Sequence, residues 1–386
     1  MNIFQFKHVG NGLFYTGSIS DEFNFVYDCG AGNSNKNLNN EIQSNRHFTE
    51  SKNIDFVVIS HLHENYFNGL LELCTEYQVG RIYLPYLGEN KELIRLMLAG
   101  VIFRAFQKTS ADKLLLYAFM CKLYKIESVY NKHFKFKPPR QVVVIKPEFI
   151  KGHQSYEIGT WVLNSYPTIE QSLKWVFVFI TKMLAKEEWR RLDKNFRKAY
   201  GKYYTDDGFN SEAYESELLS YKDTPEGIKF LQTCFAKLCL VYGEYTPSDI
   251  SSILLLHYPR TARYVTYISE YKTFNQSYLQ SPLKRIEGMM TLLTGDVKLD
   301  KPLENMIFSC GNFSSGGGVL QIPQSDTAKN WNAIKSLARA FKAFVLTASS
   351  NEAEQFERTV MQDFTMYPSQ YARIVTENTG ITYFIE

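Results

Sequence analysis

The chain has 386 residues, of which 45% are hydrophobic and 22% charged, so it is long enough to bury a large core and is not of the disordered class. Its formal net charge of +3, from 43 basic and 40 acidic residues, is too small to indicate a nucleic-acid or membrane partner by itself. No apolar run reaches the roughly 18 residues of a membrane-spanning helix, and no signal-peptide pattern opens the chain, which favours a cytoplasmic protein without a membrane partner.

The first third of the chain is predicted to form short strands joined by turns. Residues 1–9, 13–19 and 24–28 are β-prone runs separated by glycine-rich or polar residues, which predicts an antiparallel meander. A buried strand is expected at 54–60 and a further short strand at 81–84.

Two helical blocks interrupt the strand pattern. Apolar residues spaced by three and four predict helices at about 90–130, and a strongly charged block at about 183–245 reads as a second insertion. Further strands are predicted between and after them, at 142–146, 160–166, 173–180, 252–257, 289–294, 318–322, 343–346 and 381–385, with helices near 331–341 and 353–363. This order predicts one α/β domain over residues 1–386, built as two stacked sheets with outer helices.

The most informative segment follows the predicted strand at 54–60. His61 and His63 stand one residue apart at the carboxyl end of that strand, where layered α/β proteins tend to place ligand sites. Neutral imidazole is the commonest protein ligand for zinc and similar metals. The segment therefore indicates a candidate metal site.

The segment resembles the signature of the metallo-β-lactamase superfamily, in which HxHxDH follows a strand and a glycine follows closely. His61 and His63 match the first two histidines, and Gly69 matches the glycine. Asn65 stands where the family has aspartate, and Tyr66 stands where it has the last histidine. The resemblance implies a four-layer αββα sandwich with a degenerate metal site.

Other landmarks of that family occur in the same order. Asp28 and Gly30 resemble its early DxG turn, although aspartate near glycine is also favoured in turns for local hydrogen bonding alone. Gly295 and Asp296 resemble its later TGD motif, whose aspartate binds metal in the family. The strand before Gln324 resembles the one that runs into a histidine in the branch related to DNA-uptake competence proteins.

The resemblance leaves His61, His63 and Asp296 as metal ligands, while no catalytic residue can be assigned. A catalytic zinc site keeps about three protein ligands and one open position, and a two-metal site needs more. The surviving set is enough for one zinc or other divalent ion, or for none.

Three functions are compatible with these observations. The leading one is a pseudoenzyme that has lost competent metal chemistry and works as a binding or assembly component, meeting a protein partner through a helical insertion. The second is a metal-dependent hydrolase with a mononuclear site, acting as a phosphodiesterase or nuclease-like enzyme on phosphodiester or ester substrates. The third is a nucleic-acid-binding protein, in which the basic and aromatic segments 132–137 and 189–202 line a groove.

Segment 189–202 also has a purely structural interpretation. Trp189, Leu192, Phe196 and Tyr200 fall at helical spacing on one side, which predicts a helix that docks on the core with its charges facing water.

Overall fold

The structure is a computed structural model, which describes residues 2–9, 12–32, 35–45, 51–105, 110–128, 138–145, 155–158, 161–165, 175–182, 186–220, 252–259, 264–268, 286–287, 289–295, 317–322, 343–348, 371–376 and 381–385. Asp296, Gln324, segment 132–137 and the helices predicted near 331–341 and 353–363 lie outside the described residues.

The described secondary structure alternates between strands and helices along the chain. The strands are β1 Asn2–Phe6, β2 Phe14–Ile19, β3 Phe23–Cys29, β4 Asn53–Val58, β5 Gln78–Pro85, β6 Gln141–Ile145, β7 Ser155–Ile158, β8 Trp161–Ser165, β9 Trp175–Lys182, β10 Tyr204–Thr205, β11 Gly208–Phe209, β12 Ile253–Pro259, β13 Tyr264–Ile268, β14 Ile286–Glu287, β15 Met289–Leu293, β16 Gly317–Ile322, β17 Ala343–Ala348, β18 Tyr371–Thr376 and β19 Ile381–Ile385. The α-helices are α1 Asn35–Gln43, α2 Glu64–Phe67, α3 Leu70–Glu76, α4 Lys91–Ala105, α5 Ser110–Leu123, α6 Lys186–Ala199 and α7 Ser211–Ser220.

The first large sheet has nine strands in the order β14-β13-β19-β1-β2-β3-β4-β5-β6. Strands β1, β2 and β3 form the predicted antiparallel meander, and β3 to β6 continue it as parallel neighbours. The C-terminal strand β19 pairs with β1, so the two ends of the described chain meet in the same sheet.

The second large sheet has eight strands in the order β18-β17-β16-β15-β12-β9-β8-β7. Its strands β15 to β18 are parallel, whereas β7, β8, β9, β12 and β15 pair antiparallel. Both sheets are mixed, and the predicted α/β class is confirmed.

The two sheets pack face to face through an aromatic core. Side chains that alternate along each strand point inward, because successive residues of a strand face opposite sides. Phe25 and Phe56 of the first sheet each contact Phe177 of the second with ring centroids 5.2 Å apart. The intervening positions of the first sheet face away from this core, and Val57 and Ile82 pack there with the helices. Helices, first sheet and second sheet are therefore three successive layers.

The two helical insertions pack against each other through a buried ion pair. Arg95 of α4 pairs with Glu215 of α7, whose side chain is only 1% exposed. The hydroxyls of Tyr117 and Ser128 also donate to the Glu215 carboxylate, at 3.2 and 3.3 Å. Because a buried charge is stable only when it is paired and hydrogen-bonded, this cluster fixes how α7 sits on α4 and α5.

Helix α6 docks as its residue pattern predicts. Leu192, Phe196 and Tyr200 are buried in the helical core of the molecule, with Trp189 partly buried beside them. The charged side chains on the opposite side of the helix are exposed, and this prediction is confirmed. Within the described part of the chain, no helix combines the length and hydropathy needed to cross a bilayer.

A second buried polar network crosses the aromatic core between the sheets. The indole N–H of Trp175 donates to Nδ1 of His257 at 3.2 Å, so the neutral imidazole carries its proton on Nε2 and donates it to the Tyr15 hydroxyl at 2.8 Å. The hydrogen-bond network continues from the Tyr15 hydroxyl to the Tyr383 hydroxyl, at 2.6 Å. It then reaches the hydroxyl of Thr291, which is 2.7 Å from that of Tyr383. Tyr15 and Tyr383 belong to the first sheet and the other three residues to the second, so the network joins the two sheets.

Truncation of Glu215 should destabilise the protein strongly. Glu215→Ala leaves the Arg95 guanidinium buried without its carboxylate, which is expected to lower the free energy of unfolding by about 3–5 kcal/mol in urea denaturation. The double variant Arg95→Met with Glu215→Leu removes both charges. Its free energy of unfolding should decrease clearly less than that of Glu215→Ala. Equal losses in the two variants would contradict a role for the charge pairing.

Stability should depend on the protonation of His257. Burial lowers the pKa of this imidazole to about 3, so below the ordinary histidine pKa the unfolded chain binds a proton that the folded protein excludes. The resulting contribution is complete above about pH 6.5 and decreases toward pH 3 by roughly 1 kcal/mol per pH unit. The stability difference between the wild type and His257→Gln should therefore shrink when both are unfolded in urea at successively lower pH. If the stability difference between the two proteins did not change with pH, the folded protein would not exclude a proton from His257.

Candidate metal-binding site

The two histidines lie on the loop that leaves the carboxyl end of β4. His61 is buried and His63 is half-buried. The amide of His63 donates to the carbonyl of His61 at 3.1 Å, and the amide of Tyr66 donates to the carbonyl of His63 at 3.0 Å. These turns lead directly into the short helix α2, so the whole motif is held compactly at the strand end.

Asp28 fixes the end of β4. It is fully buried, its φ is 57°, and its carboxylate accepts a hydrogen bond of 2.7 Å from the amide of Ser60. Aspartate tolerates this left-handed backbone conformation better than most residues. Its side chain thereby ties the end of β3 to the residue that precedes His61.

The glycines of the motif allow the loop to lie on β3. A Cβ at Gly30 would stand 2.2 Å from the carbonyl oxygen of Asn65, and one at Gly69 would stand 2.8 Å from the side chain of Leu38. The amide of Gly69 also donates to the carbonyl of Cys29 at 2.8 Å. At Gly30 the obstacle is backbone, so no side chain fits there, whereas at Gly69 a side chain would have to displace Leu38.

Two segments of the second sheet also contact the loop that carries the histidines. The amide of Ile253, at the start of β12, donates to the carbonyl of Ser60 at 2.7 Å. Gly295, just after β15, has a φ of 61°, and a Cβ there would lie 2.6 Å from the Ser60 hydroxyl. The loop that carries the histidines and the loop that leads to Asp296 therefore meet at Ser60.

The two imidazoles are arranged as metal ligands could be. Nδ1 of His61 is 2.8 Å from the Ser60 hydroxyl, which would orient the ring and leave Nε2 available. Within the described residues, neither His61 Nε2 nor His63 Nδ1, both buried, has a hydrogen-bond partner. The ring centroids are 6.0 Å apart, close to the roughly 5 Å expected for two imidazoles on one tetrahedral ion. Burial and then the neighbouring His63 lower the pKa of His61, which keeps its ring neutral.

Tyr66 occupies the position that corresponds to the last histidine of the HxHxDH signature. Its side chain is fully buried and belongs to the aromatic core between the sheets. Its ring centroid lies 4.4 Å from that of His61 and 5.9 Å from that of His63. A core aromatic side chain thus packs directly against the imidazole that a metal would need.

The described donors do not fit a two-metal centre. They are two imidazole nitrogens, whereas Asn65 offers a neutral amide and Tyr66 a buried phenol. Among the residues that the structure describes, no three histidine, cysteine, aspartate or glutamate side chains come together as a metal-binding group. With Asp296 the set would reach the three ligands of a single ion at most.

Sequence reasoning missed the importance of Ser60. Its amide, carbonyl and hydroxyl contact Asp28, Ile253 and His61 respectively. The sequence did show that Ser60 stands between a buried strand and the first histidine, which places it next to the candidate site. Nothing in the sequence, however, indicates that a distant strand would bond to its carbonyl.

Substitution of Gly295 should measure how tightly the two loops meet. Gly295→Ala introduces both backbone strain at positive φ and a contact with Ser60, and should lower the free energy of unfolding by more than about 1 kcal/mol. Gly208 has a φ of 115° but open space around its Cα, so Gly208→Ala controls for backbone strain alone. Equal losses for the two variants in urea denaturation would show that the approach to Ser60 is not close.

Comparisons with known proteins find similarity only among solved structures. No protein-family model matches the chain, and no curated protein matches it either. Among solved structures, the chain is similar to the metallo-β-lactamase GOB-18 from Elizabethkingia meningoseptica, at 13% identity over 61% of this chain and 87% of that one. The TM-score of this match is 0.21, so the architecture described above rests on the strand order and packing of the chain itself.

Proposed function

We propose that the chain is a divergent protein of metallo-β-lactamase-like fold whose metal site has lost hydrolytic competence, and that it acts as a binding or assembly component. The observation that carries the proposal is the burial of Tyr66 against His61, at a centroid distance of 4.4 Å. The position that would hold a metal-binding imidazole now contributes to the core between the sheets.

The chemistry of the remaining donors supports this proposal. A bound water becomes a nucleophile at neutral pH only when a metal lowers its pKa strongly. Two neutral imidazoles hold an ion weakly unless a further nitrogen or carboxylate completes the set. Asn65 cannot supply the negative charge of the aspartate that the family signature has at this place.

The helical insertions support a binding role. Helices α4 to α7 form a layer with its own buried ion pair, and α6 presents a charged side to solvent. The inner side of this layer covers the first sheet, and its outer side provides a surface that a partner could contact. We place the contact with a partner macromolecule on these insertions.

A mononuclear hydrolase is the second candidate. It is favoured by the two buried nitrogens, His61 Nε2 and His63 Nδ1, which have no hydrogen-bond partner among the described residues. When bound, a zinc ion would be held by His61, His63 and Asp296 and would supply a Lewis acid for phosphodiester or ester hydrolysis. The role of this chain's own residues is to hold that ion, with Ser60 orienting the His61 ring.

Metal content and hydrolysis together test the proposal. After removal of metal with EDTA and reloading with Zn²⁺, the wild type should retain well under one zinc per chain by elemental analysis and should not hydrolyse bis(p-nitrophenyl) phosphate above the blank. Restoring the signature with Asn65→Asp and Tyr66→His should tighten zinc binding at least about tenfold in calorimetric titration, because it adds a carboxylate and an imidazole.

The controls separate the two candidate functions. Tyr66→Phe keeps the ring and should give no gain in zinc affinity. One zinc per wild-type chain, lost in His61→Ala and accompanied by turnover, would establish the hydrolase instead. These wild-type measurements decide the question even if the restored variant does not fold.

A further inference from the structure

Helix α6 separates its apolar and basic residues onto opposite sides. Leu192, Phe196 and Tyr200 anchor one side in the helical core, where the rings of Phe196 and Tyr200 stack at 5.4 Å. Arg190, Lys194 and Lys198 lie on the other side and are all exposed. Because they recur every four residues, these three cations form a nearly straight row along the helix.

The helix as a whole carries an excess of positive charge. Lys186–Ala199 contains six basic and three acidic residues, an excess equal to the net charge of +3 of the entire chain. The exposed neighbours Arg191 and Arg197 border the row. We call Arg190, Arg191, Lys194, Arg197 and Lys198 the basic face of α6.

The three acidic residues of α6 lie in its first turn and next to Arg197. Glu187 and Glu188 lie in the first turn, where carboxylates favour the positive end of the helix dipole. Asp193 accepts a hydrogen bond from Asn90 of the neighbouring insertion and pairs with Arg197 at 3.4 Å. Asp193 therefore partly compensates Arg197, whereas Arg190, Lys194 and Lys198 lie on the exposed side of the helix, with Glu187 one turn before Arg190.

The basic face is held rigidly. Trp189 contacts Tyr86 edge to face at 5.6 Å, and the guanidinium of Arg197 lies over the ring of Tyr204 at 5.6 Å. These contacts fix both ends of the helix on the core. A surface that is already ordered loses little conformational freedom when it binds, which favours affinity.

We infer that the basic face of α6 binds the phosphate backbone of duplex nucleic acid, in a sequence-independent manner. The inference rests on the proposed binding role of the insertions and names the chemistry of the partner. The helix rises about 12 Å over the eight residue-to-residue steps from Arg190 to Lys198. A duplex carries about seven phosphate charges over that length of its axis, enough to meet every cation of the row.

The composition of the face favours duplex over single-stranded nucleic acid. Proteins that bind single strands stack the bases on exposed aromatic rings. The aromatic residues of α6, Trp189 and Phe196, both pack toward the core. The face therefore offers charge for a backbone and no ring for an unpaired base.

The test compares two triple variants of the full chain. Binding of a fluorescent 20-base-pair DNA duplex is followed by anisotropy at several salt concentrations. Arg190→Ala, Lys194→Ala and Lys198→Ala together should weaken binding at least about tenfold at low salt and reduce the slope of log K against log salt by about three. The matched control replaces the exposed Lys52, Lys125 and Arg140 by alanine, with the same change of net charge, and should bind like the wild type.

Four outcomes would overturn the inference: no binding by the wild type, equal weakening in both triple variants, preference for a single strand of the same sequence, or stronger binding to anionic phospholipid vesicles than to the duplex. The phosphodiester assay is run on the same proteins. Since none of the substitutions touches His61 or His63, hydrolysis by the wild type would refute the proposed function, while DNA binding separately decides the role of α6.

Discussion

The structure depends on the junction that the main chain of Ser60 makes between the two sheets. Its amide is held by Asp28 of the first sheet, and its carbonyl accepts the amide of Ile253 at the start of β12. Since buried backbone groups must be paired, these bonds fix the distance and register between the sheets at this end. Gly295 and the His61 ring are placed by contact with the same residue.

The candidate site illustrates a competition between metal binding and core packing. An imidazole at position 66 would contribute a ligand, whereas the phenol present there contributes a large aromatic surface to the core between the sheets. The surrounding landmarks, Asp28, Gly30 and Gly69, have structural roles that do not need a metal. The geometry of this loop therefore has structural causes that are independent of metal binding.

The helical insertions contain a second buried polar cluster, which fixes how they pack against each other. The pair of Arg95 and Glu215 is expensive to bury, so it specifies one arrangement of α4 and α7 more than it adds stability. Helix α6 is fastened to this layer mainly by its buried apolar and aromatic side chains, together with a hydrogen bond from Asn90 to Asp193. Arg190, Lys194 and Lys198 lie on the exposed side of the helix, where the inferred anionic partner would bind, although the net charge of the whole chain gives little sign of this.

The sequence by itself determined the features that depend on local periodicity. Alternating and continuous apolar runs located most strands, including β4 and β19, and helical spacing identified which side of α6 is buried, because these patterns are set by backbone geometry. Helices α1 to α3 and strands β10, β11, β13, β14 and β18 were not predicted, because their segments lack a clear apolar period. Only the tertiary structure decided that β19 pairs with β1, that Tyr66 enters the core and that Gly295 meets Ser60. Each of these joins residues far apart in the chain or turns a side chain inward, and such choices are made by packing across the whole fold.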